Sequence, residues 1–243
     1  MDLENELKLA KKAAIDAGEY LKNLENIQVL ENKGKDIKLD ADRAAEKIIL
    51  NYLLNSSNYS ILAEERGFFD KKTELVWYVD SLDGSLNFLR GIPNSAVSIA
   101  LWDGQEPLLG VIYDFNRNDL YFGIVGKGAW LNDKEITVSN IEDKKRAIIA
   151  SGIPVNSSYS DEDLLKVVKM FQNYKKARFL GSAALSLAYV AAGKTDVYAE
   201  DGIILWDVAA GLALVKAAGG YLKYEKLNDK NHYNVFASNN KIK

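Results

Sequence analysis

The 243-residue chain has no cysteine. That excludes disulfides, thiolate-bound zinc and cysteine nucleophiles. It has one histidine, His232, so a zinc site or phosphoryl relay needing two imidazoles is excluded as well. His232 follows the polar segment Asn228-Asp229-Lys230-Asn231 and reads as a surface loop residue. There is no basic excess: 31 Lys+Arg against 34 Asp+Glu give a net charge of −3, which argues against a nucleic-acid partner. No run approaches the ~20 apolar residues that cross a bilayer. The acidic start, Met1 to Glu6, lacks the apolar core of a signal peptide. The expectation is a cytoplasmic protein without a membrane partner. Internal repeats and low-complexity segments are also missing. What remains, 48% hydrophobic and 27% charged residues, is the composition of a globular protein with ample core.

The available metal ligands are therefore oxygens, which suit Mg²⁺, Mn²⁺ or Ca²⁺. Three acidic clusters stand out. Glu74 to Tyr78 is apolar and aromatic, reads as a buried strand, and delivers Asp80 and Asp83 at its end. Asp83-Gly84 then turns the chain, and Ser85 and Asn87 suit a turn or a helix start. Upstream, Ile61-Leu62-Ala63 runs into Glu64-Glu65, and downstream Trp206-Asp207 opens a helical pattern. Singly, each is an ordinary turn, solvated loop or helix start. Together they predict a hard-metal site formed by Glu64, Asp80, Asp83 and Asp207.

Elsewhere, apolar steps of three and four from Leu3 to Leu24 predict a long amphipathic helix, followed by a loop around Asn32 to Asp36. A second helix is expected to be capped by Asp40, with Glu46 placed favourably near its positive end. Strands are predicted over 96–102, 108–113, 120–125 and 129–131, joined by hairpin turns, with Gly123, Gly126 and Gly128 as hairpin glycines. A boundary near residue 140 divides 1–140, antiparallel sheet with two long helices, from 141–243. There strands at 147–150, 177–180, 197–199, 221–224 and 234–238 alternate with helices at 161–171, 182–192 and 207–218, the pattern of a more parallel layered half.

The combination Ala63-Glu64-Glu65, Asp80-Ser-Leu-Asp83-Gly-Ser85-x-Asn87-Phe88 and Trp206-Asp207-x-Ala-Ala, closed by Ala218-Gly219-Gly220, resembles the inositol monophosphatase family. That family is similar in turn to the fructose-1,6-bisphosphatases. The resemblance covers nearly the whole chain, in the family's order. It implies an α+β / α/β fold, a layered α-β-α-β-α sandwich with the site between its halves. It implies a phosphoric monoester hydrolase that binds two or three Mg²⁺ ions, with Mn²⁺ as a substitute, and acts on small phosphorylated sugars or polyols. It also implies a homodimer.

By the same resemblance, Glu64, Asp80 and the carbonyl of Leu82 hold the first ion, and Asp80, Asp83 and Asp207 the second. Glu64 reaches a third ion through water, beside Glu65. Ser85 and Asp42 orient the attacking water, so Asp42, Glu64 and Ser85 are the catalytic set. Substrate contacts fall on Asp83, Gly84, Ser85, Gly181, Ser182, Ala183, Glu200 and Asp207. Lys33 and Asp36 resemble the lysine and aspartate of the family's loop. The chain departs from the commonest pattern at Ala63, Ser81, Leu82 and Ser85. Ser81 stands where proline is usual, which predicts a slightly looser loop. Leu82 and Ser85 are closer to the fructose-bisphosphatase version, and members of that mixed kind accept both fructose 1,6-bisphosphate and inositol 1-phosphate. Rival readings are a 3′(2′),5′-bisphosphate nucleotidase, which usually carries extra length, and a non-catalytic metal-stabilised binding domain. A phosphatase of the haloacid-dehalogenase type would need a buried strand before Asp40-Ala41-Asp42, and Lys35 to Lys38 is a poor one.

Overall fold

A computed structural model describes residues 2–34, 36–104, 106–153, 159–227 and 231–243. Helix α1 (Leu3–Lys22) buries Leu7, Ala10, Ala14, Ala17 and Leu21, the stripe its spacing predicts, and Asp2 caps it by accepting the Glu4 and Asn5 N–H groups. The expected loop is instead a hairpin, β1 (Val29–Lys33) and β2 (Asp36–Leu39), reversing at Gly34 with φ +62°. Its strands are short and polar, so no periodicity announced them. The side chains of Lys33 and Asp36 lie outside the described residues.

Helix α2 (Asp40–Ser56) begins one residue earlier than a cap at Asp40 allows. The Asp40 carboxylate accepts the Gln28 N–H at 2.8 Å. Asp42, in the first turn, reaches back to the Leu39 N–H at 2.6 Å and satisfies the exposed helix start. Glu46 is not a surface dipole partner either. It is fully buried and accepts the Glu65 N–H at 2.8 Å.

The first sheet follows: β3 (Ser60–Ala63), β4 (Gly67–Phe69) and β5 (Leu75–Asp83), a short helix α3 (Ser85–Leu89), then β6 (Ala96–Asp103), β7 (Glu106–Asp114), β8 (Asp119–Ile124), β9 (Gly128–Leu131) and β10 (Lys134–Ile136). Its order is β10-β9-β8-β7-β6-β5-β3-β4, antiparallel except for the parallel pair β3–β5. The second half holds β11 (Ile148–Ala150), α4 (Asp161–Phe171), β12 (Lys176–Arg178), α5 (Ala183–Ala191), β13 (Val197–Ile204), α6 (Leu205–Ala217), β14 (Tyr221–Lys226) and β15 (His232–Ser238). Its sheet, ordered β12-β11-β13-β15-β14, is parallel around β11 and antiparallel around β15. Strand β13 runs well past the expected end at Ala199. A bulge between Asp201 and Ile203, with Gly202 at φ +80°, carries the polar Glu200-Asp201-Gly202 through the ladder. His232 is not in a loop: it opens β15, opposite Ile204.

Five layers result. Helices α1 and α2 cover one face of the large sheet, burying Trp77, Val79, Ile99 and Val111. On the other face Tyr78, Ala100, Trp102 and Ile112 meet α5 and α6, which also cover Tyr198, Val235 and Ala237 of the second sheet. Met170 and Phe171 of α4 close the far side over Ile149 and Val197. The fold is the α-β-α-β-α sandwich. Helix α6 lies between two sheets, which is why it is apolar nearly all round. It sits directly on β7, where a Cβ at Gly110 would lie 2.4 Å from the Ala210 carbonyl oxygen. No described helix is long and apolar enough to cross a membrane.

Candidate active site

Strand β5 alternates strictly up to Asp80, with Trp77 and Val79 toward α1 and α2 and Tyr78 toward α5 and α6. Alternation alone would send residues 80 and 83 to opposite faces. The ladder prevents this. Asp80 pairs with Ser98 and Asp83 with Ala96, so three steps on β5 match two on β6, and one residue bulges. The bulge drops Leu82 into the α1–α2 core and returns Asp83 to the α5 side. Gly84 turns the chain at φ +86°, where a Cβ would lie 2.7 Å from the Asn94 carbonyl oxygen, and Ser85 opens the five-residue α3.

The parallel pairing of β3 and β5 sets Ala63 beside Val79, and the Glu64 N–H donates to the Val79 carbonyl at 3.2 Å. Glu64 and Asp80 are thus adjacent strand-end acids. Asp207, in the first turn of α6, completes the group: one carboxylate oxygen each from Glu64, Asp80 and Asp207 lie within 4.8 Å of one another. Asp83 points into the same region but is held at the start of α5. It accepts the Ser182 hydroxyl and the Ala184 N–H, the latter at 2.8 Å. The Leu82 N–H donates to Asp80 at 3.0 Å, and the Leu82 carbonyl oxygen lies 2.9 Å from the Ser85 hydroxyl oxygen.

The Ser85 hydroxyl also lies 2.8 Å from the Asp42 carboxylate, which is buried and pushed up to about 6 chiefly by that burial. Glu65, beside Glu64, is held by Lys38 at 2.7 Å and Arg43 at 3.3 Å. Ser81, where the missing proline predicts a slightly looser loop, is 1% exposed, and its hydroxyl donates to the Asp42 carbonyl at 2.8 Å. Across the cleft, Glu200 accepts the Tyr198 hydroxyl at 2.7 Å and is pushed up to about 7 by burial. Glu64, Asp83, Gly84, Ser85, Gly181 to Ala183, Glu200 and Asp207 line one cleft of ≈ 420 Å³, with Asp80 buried and not in its lining.

Two features near the motif were not read from the sequence, the bonding of Asn87 and the burial of Ser98. The Asn87 amide donates to the carbonyls of Asn94, Leu180 and Gly181 at 2.8, 2.9 and 3.1 Å, tying the β5 motif to the turn before α5. Ser98, opposite Asp80, is buried, and its hydroxyl has no hydrogen-bond partner among the described residues. A lone serine within the apolar run Ala96 to Trp102 was the available signal.

The donor set fits a hard divalent cation. All donors are oxygens, and they are strained without a counter-charge. Burial, then Glu64, Asp83 and Asp207, raise Asp80 well above the carboxylate range. Burial, then Asp42 and Glu65, push Glu64 up to about 8, and burial pushes Asp83 up to about 6. Each acid therefore holds its proton more tightly folded than unfolded. The stability this gives is full below the ordinary carboxylate value of about 4 and is lost as pH rises through about 6 for Asp83 and about 8 for Glu64. Without divalent cations the melting temperature should fall between about pH 5 and pH 8, and Mg²⁺ should raise it more at the upper end, because cation and protons compete. Scanning fluorimetry across that range checks this, and an Mg²⁺ shift independent of pH would contradict it.

Comparison with known proteins matches this arrangement to one family. The model of the inositol monophosphatase family matches residues 2–241. A Xylella fastidiosa protein named Nus factor SuhB is 41% identical over 217 residues, covering 87% of this chain and 78% of that protein. An inositol-1-monophosphatase of Mesorhizobium japonicum is 38% identical over 223 residues, covering 89% and 84%. Among solved structures, an inositol monophosphatase from Anabaena superposes with a TM-score of 0.87 at 32% identity, over 99% of this chain and 93% of that one.

Proposed function

The chain belongs to the inositol monophosphatase family, and from that premise we propose that it is an Mg²⁺-dependent phosphomonoesterase of small sugar and polyol phosphates, fructose 1,6-bisphosphate and inositol 1-phosphate among them. The observation that carries the reading is the meeting of Glu64, Asp80 and Asp207 within 4.8 Å beside a cleft of substrate size. These acids, with Asp83 and the Leu82 carbonyl, would hold the divalent ions. Such ions supply Lewis acidity against the negative charge of a phosphate ester.

The chain's own groups do the rest. Ser85 orients the attacking water, its hydroxyl fixed between the Asp42 carboxylate and the Leu82 carbonyl. Asp42, at about 6, is largely ionised at neutral pH and can receive the water's proton through that hydroxyl. The N–H groups of Gly84 and Ser85 meet the phosphate oxygens. Glu200 and the turn Gly181 to Ala183 face the sugar, and Glu200, poised near 7, both accepts and donates hydrogen bonds to hydroxyls.

The Nus-factor name of the Xylella relative favours a second reading, in which the fold binds a partner rather than turning over substrate. Phosphate release separates the two. With fructose 1,6-bisphosphate and inositol 1-phosphate in parallel, release should require Mg²⁺ and stop with EDTA. No release from either, by folded protein whose melting temperature responds to Mg²⁺, would support the binding role.

A further inference from the structure

Asp42 is held at three points by three different residues. Its carboxylate accepts the Leu39 N–H at 2.6 Å and the Ser85 hydroxyl at 2.8 Å, and its carbonyl accepts the Ser81 hydroxyl at 2.8 Å. Two of these three donors come from the bulge of β5 and the turn after it. A helical carbonyl uses one lone pair for the N–H four residues on, which leaves the other for Ser81. At 1% exposure the Ser81 hydroxyl meets little competing water, so the bond is stronger than a surface one.

Beneath this end of α2 the contact with β5 is apolar, Ala41, Ala45 and Ile49 packing among Trp77, Val79 and Leu82. Other directional contacts of the helix lie further along it, at Glu46 with the Glu65 N–H and at Ser57 with the Trp77 indole. Apolar contacts are non-directional and resist separation better than sliding. A bond from the bulge to the first turn of α2 resists that sliding. It fixes the height of the Asp42 carboxylate relative to Ser85, which sits four residues along the same stretch.

We propose that Ser81 is a positioning residue for the Asp42–Ser85 pair, acting through the Asp42 carbonyl. This rests on the phosphatase reading above. The catalytic pair is then built by one segment twice over, because Ser81 sets where Asp42 stands and Ser85 uses it. Displacement of such a group by a fraction of an ångström costs rate and leaves substrate binding alone.

The test is a cycle of Ser81→Ala, Asp42→Asn and the double variant, with two readouts. In Mg²⁺-dependent phosphate release, Ser81→Ala should lose about tenfold in kcat with KM within about twofold of the parent, the scale of one buried hydrogen bond. In the Asp42→Asn background the same change should cost less than about twofold, because what it positions is already lost. A tenfold loss in both backgrounds would make Ser81 merely structural, and no loss in either would overturn the proposal. The second readout needs no turnover. Amide exchange at Leu39, whose N–H is bound by the Asp42 carboxylate, should quicken about tenfold in Ser81→Ala, and unchanged exchange would sink the positioning role. Should the parent release no phosphate while Leu39 exchange still responds, the phosphatase reading fails and the tether stands.

Discussion

Replacing Asp80 with asparagine should cost about a thousandfold in kcat for phosphate release and, at the same time, raise the melting temperature of the metal-free protein. The two effects have one cause. Asp80 is 2% exposed and is pushed toward its neutral form by burial and then by Glu64, Asp83 and Asp207. Asparagine removes the buried charge and the repulsion, so the metal-free fold gains. In the proposed metal site it also replaces the anionic oxygen between Glu64 and Asp207 with a neutral amide oxygen, and the Lewis acidity such a site would supply is worth several kcal/mol, roughly a factor of a thousand at ~1.4 kcal/mol per tenfold. Phosphate release and melting curves with and without Mg²⁺ check both halves. Activity within tenfold of the parent, or an undiminished Mg²⁺-dependent rise in melting temperature, would refute the proposed metal site.

The second large effect lies outside the cleft. Gly110→Ala should lower the melting temperature by roughly 6–12 °C, from about 3 kcal/mol of overpacking at 2–4 °C per kcal/mol for a chain of this size. The new Cβ would meet the Ala210 carbonyl oxygen at 2.4 Å and the Ala210 carbonyl carbon and Cα at 3.0 Å. These are all backbone atoms of α6, so no side chain can swing aside. The helix must lift from β7, and it carries Asp207 with it, so Mg²⁺ affinity should weaken as well. Calorimetry gives the first result and an Mg²⁺ titration of melting temperature the second. A change below about 2 °C would mean that α6 is not seated as tightly as the packing indicates.

The sequence made the acids visible because each ends or opens an element with a clear apolar signature: Ile61 to Ala63, Glu74 to Tyr78, and the helix after Trp206. The helix at 161–171 and the hairpin strands were legible for the same reason, through periodicity and turn residues. What stayed hidden depended on long-range geometry. The β1–β2 hairpin is largely polar, and Glu200-Asp201-Gly202 interrupts β13 before its end, so only pairing makes these segments strands. Glu46 read as an acid placed for the helix dipole, since nothing local says that the loop after β3 brings the Glu65 N–H to it. Ser81 read as a lost proline, since its partner lies 39 positions away. The clamp from Asn87 to Leu180 and Gly181 spans more than ninety positions, beyond any motif.

The extra residue in β5 makes this site a matter of counting as well as of letters. Between Asp80 and Asp83 the strand carries one residue more than the strand facing it, and that surplus is what brings acids three positions apart onto one face. On a strand that pairs regularly, the same Asp-x-x-Asp letters would send the second acid to the opposite face of the sheet. Anyone grafting the motif onto another sheet must copy the length of the strand together with its residues.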